Sequence, residues 1–287
     1  MVLSGVEKLS SDQQRILRGW LPGAVVVADH SWGLVETTVL ELTQGRNRLI
    51  VKAGGESDHH IEREIHAHLH WLEPWTARGR AAVLRHFHIE AKLLVAGHLP
   101  GRLVLGSEQA SDPQAYRQAG QLLAMLHAQV VVADDSYEER ENDRSLVWLS
   151  RPHRIEPDVQ ENLRAQIASW STPATSLVPT HGDWQPRNWL IHEGVVSIID
   201  LGRAALRPAM SDFARLAAQE FRADPALEAA FLSGYGADPR EAEAWHRNRV
   251  REAIGTAVWA HQVGDEAFEA QGHRMVADVL SEGSRTL

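Results

Sequence analysis

Thr180-His181-Gly182-Asp183-Trp184-Gln185-Pro186-Arg187-Asn188 is the stretch on which the reading of this chain turns. It sets out an Asp, then an Asn at position 188, and is followed by a second Asp, Asp200, at the end of the apolar run Val195-Val196-Ser197-Ile198-Ile199. Phosphoryl transfer from a nucleoside triphosphate requires that set of groups. One carboxylate orients an attacking hydroxyl and takes its proton; an amide and a second carboxylate hold the divalent cations that neutralise the triphosphate. Trp189-Leu190-Ile191 and Val195 to Ile199 read as two short buried strands, with His192-Glu193-Gly194 turning between them. Asn188 and Asp200 are thereby expected at neighbouring strand ends, converging on one point. A bare His-Gly-Asp is as well explained by a polar turn capped by Asp183. Asn188 and Asp200 at this spacing favour chemistry.

The N-terminal third supplies the other half of such a site. Ala24 to Asp29 is a β-branched run, Val35 to Leu42 alternates with period two, and Asn47 to Lys52 follows the turn Gln44-Gly45-Arg46. The loop His30-Ser31-Trp32-Gly33-Leu34 stands where a phosphate-covering loop would, with one glycine, and reads equally well as a hairpin turn. Lys52 is more telling, because lysine occurs only at positions 8, 52 and 92. An ammonium on a buried strand is costly unless it meets anions; the plain alternative is a strand-end lysine reaching solvent. The next segment, Asp58 to Trp71, reads as a helix with Ile61, Ile65 and Leu72 on one face, and it carries Glu62 and Glu64 as possible partners for Lys52. Its histidines, His59, His60, His66, His68 and His70, imitate a metal cluster. Only His66 and His70 share a helical face, and no HExxH or Cys partner accompanies them.

His181-Gly182-Asp183-x4-Asn188 with Ile199-Asp200 resembles the aminoglycoside phosphotransferase family of small-molecule kinases, distant relatives of the protein kinases. The family's loop usually reads His-Gly-Asp-Leu, and Trp184 replaces that Leu. Leu201-Gly202 follows the second Asp, where members commonly carry Trp or Phe. The resemblance spans roughly residues 20 to 260 and is strongest at the catalytic loop. It implies an α+β, two-lobed protein-kinase-like fold. Residues 1–97 would form an N-lobe, an antiparallel β-sheet with one helix, and residues 98–287 a mainly helical C-lobe carrying the catalytic loop and the acceptor region. By this resemblance Asp183 is the base, Asn188 and Asp200 hold Mg²⁺, and His181 and Arg187 brace and charge-balance the loop. Lys52 positions the phosphates of ATP or GTP. The family pattern at Arg63-Glu64 and Trp71-Leu72 selects Glu64 as its partner. Trp32 and Gly33 belong to the covering loop, adenine bonds to backbone around Val95 and Gly97, and Asp212 is scaffold.

Beyond the break Gly97-His98-Leu99-Pro100-Gly101 the chain turns helical. Ser111-Asp112-Pro113 starts one helix, Glu156 to Trp170 is a second, and Asp212 to Phe221, Ala226 to Ser233, a long run from the cap Asp238-Pro239-Arg240-Glu241 towards Val263, and Glu266 to Ser281 follow. With 287 residues, 44% apolar and 23% charged, the composition is that of an ordinary globular protein. Cysteine is absent, which excludes disulfides and thiolate chemistry. No Gly-x4-Gly-Lys phosphate loop is present, no stretch approaches a membrane span, and Met1 to Lys8 has no signal-peptide core, so a cytoplasmic location is expected. The net charge is −9; residues 1–97 hold 11 basic and 11 acidic groups, so the surplus lies wholly in residues 98–287, with 18 against 27. An acidic lobe repels nucleic acid and favours a cationic small molecule. Its densest part, around Asp134, Asp135, Glu138 and Glu139, reads as a solvated loop or as an acceptor-binding segment. Trp148, Trp245 and Trp259 offer apolar faces that suit sugars or cations, and Asp265, Glu266 and Glu269 form a second acidic group. Acceptors consistent with this are an aminoglycoside or a basic peptide antibiotic such as capreomycin or viomycin. A metabolic amine alcohol (choline, homoserine or a sugar amine) is the alternative, and a non-catalytic nucleotide-binding module stands outside the enzyme class.

Overall fold

The computed structural model describes residues 6–32 and 36–283. In chain order the elements begin with α1 (Ser11–Trp20), β1 (Val25–Asp29), β2 (Thr38–Gln44), β3 (Asn47–Ala53), α2 (His60–His70), α3 (Glu73–Thr76), β4 (Leu84–His88) and β5 (Leu93–Gly97). There follow β6 (Arg102–Leu103), α4 (Pro113–His127), β7 (Val132–Asp134), α5 (Tyr137–Trp148), α6 (Pro157–Ser169) and β8 (Thr175–Thr180). Then come β9 (Trp189–His192), β10 (Val195–Ile198), β11 (Ala205–Arg207), α7 (Ala214–Ala218), α8 (Glu220–Ala223), α9 (Pro225–Tyr235), α10 (Ala242–Val263) and α11 (Glu266–Gly283).

Two compact units result. The first comprises Met1–Gln129, Pro179–Ala205 and Asp224–Gly236; the second comprises Val130–Val178, Leu206–Ala223 and Ala237–Leu287. Compactness therefore does not draw its boundary at residue 97, where the sequence suggested one. The physical reason lies in bonds that reach beyond that point: the buried Trp75 indole donates to the Leu122 carbonyl of α4 at 2.9 Å, and Arg80 donates to the Val196 carbonyl of β10 at 2.6 Å.

In the first unit the strands pair antiparallel in the order β1-β2-β3-β5-β4. Period-two alternation gives the sheet two faces. Leu40, Leu42, Leu49, Val51, Leu93 and Val95 pack with Leu17 and Leu21 on the α1 side. Leu94 and Ala96 pack with Ile61 and Ile65 of α2 on the other. Lys52 falls opposite Leu94 and so shares the α2 face. Helix α1, which the sequence reading passed over, opens with a capping box. Ser10 Oγ accepts from Gln13 N–H and Gln13 Oε1 accepts from Ser10 N–H. Strands β9 and β10 form the expected hairpin, with Val195 opposite His192, and β6 adds to its edge. The turn residues Glu193 and Gly194 both have positive φ, 49° and 75°, as a tight two-residue hairpin demands.

The second unit is built on α5, α6, α10 and α11, which enclose Leu149, Leu163, Ile167, Val250, Ile254, Val258 and Val276. Strands β7 and β8 pair antiparallel, Val132 opposite Leu177, in a sheet of order β11-β8-β7. Three expectations change here. The acidic segment after Asp134 is helix α5, not a loop. The long helix is capped by Glu241, whose carboxylate accepts from Glu243 and Ala244 N–H, rather than by Asp238. The run Asp212 to Phe221 breaks into a 3₁₀ turn, α7 and the start of α8 where Gln219 leaves helical geometry, at ψ −87°. No helix among the described residues is long and apolar enough to cross a membrane.

Candidate active site

The stretch from Thr180 to Asn188 is held at both ends. Thr180 Oγ1 donates to the Ala205 carbonyl at 2.7 Å, and Asn188 ends a 3₁₀ turn started by Pro186, whose missing N–H costs nothing at a first turn. Gly182 supplies a φ of 79°, which the Cβ of any other residue would strain. His181 is fully buried and works from both ring nitrogens. Nδ1 accepts from Asp183 N–H at 3.2 Å, and Nε2–H donates to the Ile199 carbonyl at 3.0 Å. One imidazole thus ties the catalytic loop to the strand that leads to Asp200. Ile199 N–H returns a bond to the Asn188 carbonyl at 3.0 Å.

Trp184, the departure from the usual Leu, is fully buried. It packs 5.8 Å from Trp75, 5.8 Å from Trp189 and edge-on to His181 at 5.3 Å. Tyr116 of α4 meets Trp189 edge-on at 5.3 Å. These rings form a buried aromatic cluster next to the loop in sequence and in packing, favourable both in buried area and in ring geometry.

The Asp183 carboxylate is only 4% exposed. Oδ1 accepts from Gln185 Nε2 at 2.5 Å; Oδ2 accepts from Asn188 Nδ2 at 2.9 Å and Arg187 Nη2 at 2.7 Å. Gln185, two residues on, is a member of this site that the sequence reading missed, although an amide beside the base was legible in the motif. Asn188 Nδ2 also donates to the Asp183 backbone carbonyl at 2.8 Å. With its amide hydrogens so engaged, the Asn188 oxygen is left as the acceptor a hard cation needs.

Lys52 Nζ donates to Glu64 Oε2 at 2.8 Å and to Asp200 Oδ1 at 2.9 Å. Glu64, buried on α2, is the partner; Glu62 is exposed. Burial opposes the charge on Lys52, but Asp200 and Glu64 outweigh it and hold the ammonium above its ordinary range. Burial pushes Glu64 up, only partly offset by Lys52, while the Lys52 charge holds Asp200 below the usual carboxylate range. Asp200 takes the left-handed conformation, φ 67°, which a non-glycine residue adopts at a cost of about 1–3 kcal/mol when its surroundings dictate it. Its side chain remains 52% exposed, so an ionised carboxylate faces outward from a fixed strand end. Among the described residues no three His, Cys, Asp or Glu side chains gather as a closed metal cage. One amide oxygen and one open carboxylate fit Mg²⁺, which keeps waters and takes substrate phosphates as ligands rather than filling a protein cage.

The remaining predicted residues divide. Trp32 lies with its ring centroid 5.8 Å from the Arg187 guanidinium; Gly33 lies outside the described residues. Val95 sits mid-ladder between Val51 and His86, with its side chain in the α1-side core, and Gly97 N–H donates to the Val83 carbonyl at 2.9 Å. In the second unit Asp134 is bound by Arg140 at 2.6 Å, and Glu138 is buried between Arg247 at 2.9 Å and Arg251 at 2.8 Å. Glu138 is thus an internal charge, not a solvent-facing one. Asp135, Glu139 and Glu266 are exposed. Asp265 Oδ1 accepts from Phe268 N–H at 3.0 Å at the start of α11, and Trp259 packs edge-on to Phe268 at 5.9 Å. Of the histidine-rich helix, His66 and His70 lie 4.4 Å apart between ring centroids, as one helical turn allows, and His60 Nδ1 bonds the Gly202 carbonyl at 2.8 Å.

The antiparallel sheet whose Lys52 is paired to Glu64 and Asp200, with the Asp183–Asn188 loop, has the architecture of kinase-like small-molecule phosphotransferases. The chain belongs to the phosphotransferase enzyme family, whose model matches residues 31–245. Comparison with curated proteins finds no match. Among solved structures, choline kinase LicA from Streptococcus pneumoniae aligns at 16% identity over 93% of this chain and 97% of its own, with a TM-score of 0.68. Aminoglycoside phosphotransferase APH(4)-Ia, in a ternary complex with ADP and hygromycin B, aligns at 10% identity over 96% and 99%, with a TM-score of 0.69. Choline kinase from Cryptosporidium parvum aligns at 14% identity over 94% of each chain, with a TM-score of 0.62.

Proposed function

We propose that the protein is an ATP- or GTP-dependent O-phosphotransferase that moves the γ-phosphoryl group to a hydroxyl of a cationic small molecule, an antibiotic of the aminoglycoside or basic-peptide type. The observation that carries the transfer reading is the Asp183 carboxylate, buried and held in place by Gln185, Asn188 and Arg187. Fixed acceptors of this kind serve general-base catalysis by orienting a hydroxyl for attack. In this role Asp183 takes the acceptor's proton as its oxygen bonds to phosphorus. Lys52, held by Glu64, meets the α- and β-phosphates. Asn188 and Asp200 would hold Mg²⁺, which when bound neutralises the triphosphate's charge.

The cationic acceptor rests on charge. The whole surplus of −9 lies in residues 98–287, and a negative field concentrates cations. The solved relative that holds hygromycin B is in keeping with an antibiotic acceptor. ADP release from Mg-ATP should be measured with polyamine alcohols, choline, homoserine and neutral sugars at low and high salt. Aminoglycoside or basic-peptide turnover that weakens with salt supports the reading. Turnover of neutral sugars alone, indifferent to salt, overturns the cationic acceptor; turnover of choline or homoserine alone overturns the antibiotic one.

A further inference from the structure

Arg187 stands where its charge works against the simplest role of its neighbour. A base accepts a proton less readily with a guanidinium on it, yet Arg187 Nη2 lies 2.7 Å from Asp183 Oδ2. Structural support does not require that bond, because Gln185 and Asn188 already donate to the same carboxylate. The guanidinium is, however, only half-engaged. Asp183 takes Nη2, and among the described residues no second carboxylate pairs with Arg187. Nη1 and Nε keep donors in the planar fork that suits phosphoryl oxygens. The Arg187 side chain is 40% exposed against 4% for Asp183, so the arginine reaches outward from a buried base. The guanidinium also lies 5.8 Å from the centroid of Trp32, the aromatic residue after β1, a ring face that attracts it and limits where the fork can turn. Charge points the same way. Lys52 is already paired with Glu64 and Asp200, and Arg187 adds a second cation at Asp183, which favours a triphosphate at the site.

We propose that Arg187 binds the transferring phosphoryl group in the transition state while it remains bonded to Asp183, with Trp32 as the surface that keeps its guanidinium in place. This rests on the phosphotransferase reading above and adds a catalytic residue to it. In the step itself the acceptor's O–H proton passes to the Asp183 carboxylate and a new O–P bond forms. The bond from the γ-phosphorus to the bridging oxygen breaks, and its electron pair leaves with the diphosphate. Negative charge on the phosphoryl oxygens is then met by the Nη1 and Nε donors of Arg187, while Nη2 stays on the Asp183 carboxylate that gains the proton. The one arginine thereby links the base to the group being transferred.

The test needs no knowledge of the acceptor, because water serves as one. Wild type, Arg187→Ala, Arg187→Lys and Trp32→Ala are titrated calorimetrically with Mg-ADP alone and with Mg-ADP plus aluminium fluoride, which mimics the phosphoryl group in flight. Mg-ATP hydrolysis is followed alongside. The expected result for Arg187→Ala is Mg-ADP affinity within about twofold of wild type, with the extra affinity given by aluminium fluoride lowered about a hundredfold or more, as for other arginines on a transferring phosphoryl group. Arg187→Lys recovers part of that affinity, and Trp32→Ala loses a smaller part. Slower hydrolysis with an unchanged ratio of the two affinities would make Arg187 a structural neighbour of Asp183 and overturn the inference alone. A wild type that binds neither Mg-ADP nor its fluoride complex would overturn the phosphotransferase reading as well.

Discussion

Asn188 donates from Nδ2 to both the backbone carbonyl of Asp183, at 2.8 Å, and its Oδ2, at 2.9 Å. One amide therefore fixes the base and, by the same orientation, leaves its oxygen as an acceptor. Replacing it separates these effects. Asn188→Ala should raise the Mg²⁺ concentration needed for half-maximal activity about 10–100-fold, the usual consequence of losing a group that orients or completes a metal site. Activity titrated with Mg²⁺ at saturating nucleotide checks this; an unchanged midpoint would remove Asn188 from the metal.

Glu138 and Glu139 are adjacent acidic residues with opposite fates. Glu138 is 2% exposed between Arg247 and Arg251, while Glu139 faces solvent. Glu138→Ala strands two buried guanidinium groups and should cost about 3–5 kcal/mol, whereas Glu139→Ala should stay within about 0.5 kcal/mol. Urea unfolding of the two variants decides the matter, and equal midpoints would contradict the burial.

The contrast also shows what the sequence could and could not tell. The arrangement of the candidate loop residues Asp183, Arg187 and Asn188 was legible because they lie within one short stretch and bond to one another. Helix α5 was not, because the groups that bury Glu138 are 109 and 113 residues away and give no local sign. The strands β7 and β8 are short and lack a strong alternation, so no periodicity announced them. Helix α1 is a different kind of miss. Its Ser10-x-x-Gln13 box was readable, and the absence of a long apolar run after it hid the helix. Lys52 was identified from its rarity and its strand, but the choice between Glu62 and Glu64 required the resemblance at Arg63-Glu64, and the geometry settles on Glu64.

Helices α4 and α9 cross where both offer glycine. A Cβ on Gly120 would collide with the Phe231 carbonyl, and one on Gly234 with the Arg117 carbonyl. Neither backbone atom can turn aside, so Gly120→Ala and Gly234→Ala should each cost about 1–3 kcal/mol by overpacking, although alanine is the better helix former. Thermal unfolding that shows either variant to be as stable as wild type would mean that the helices separate freely.

Glu220 titrates in the physiological range. Burial pushes its carboxyl up to about 7, and its Oε2 is buried without a hydrogen-bond partner. An acid whose pKa is raised on folding binds more protons folded than unfolded between about pH 4.3 and its folded value, so stability falls as pH rises through that window. Glu220→Gln removes the buried charge. Its melting temperature relative to wild type should therefore be higher at pH 8 than at pH 5. A difference that is the same at both pH values would show that Glu220 ionises freely.

The central claim is that Asp183 accepts the proton of the attacking hydroxyl and plays no part in holding nucleotide. Asp183→Asn keeps the size of the side chain and one acceptor oxygen while removing the charged base, at the loss of one of the contacts from Gln185 or from Asn188 and Arg187, because the new amide nitrogen is itself a donor. The decisive measurement is phosphoryl transfer from Mg-ATP by this variant beside calorimetric binding of Mg-ADP. Turnover about 10²–10⁴-fold below wild type with Mg-ADP affinity unchanged is the predicted result; turnover close to wild type would contradict the account.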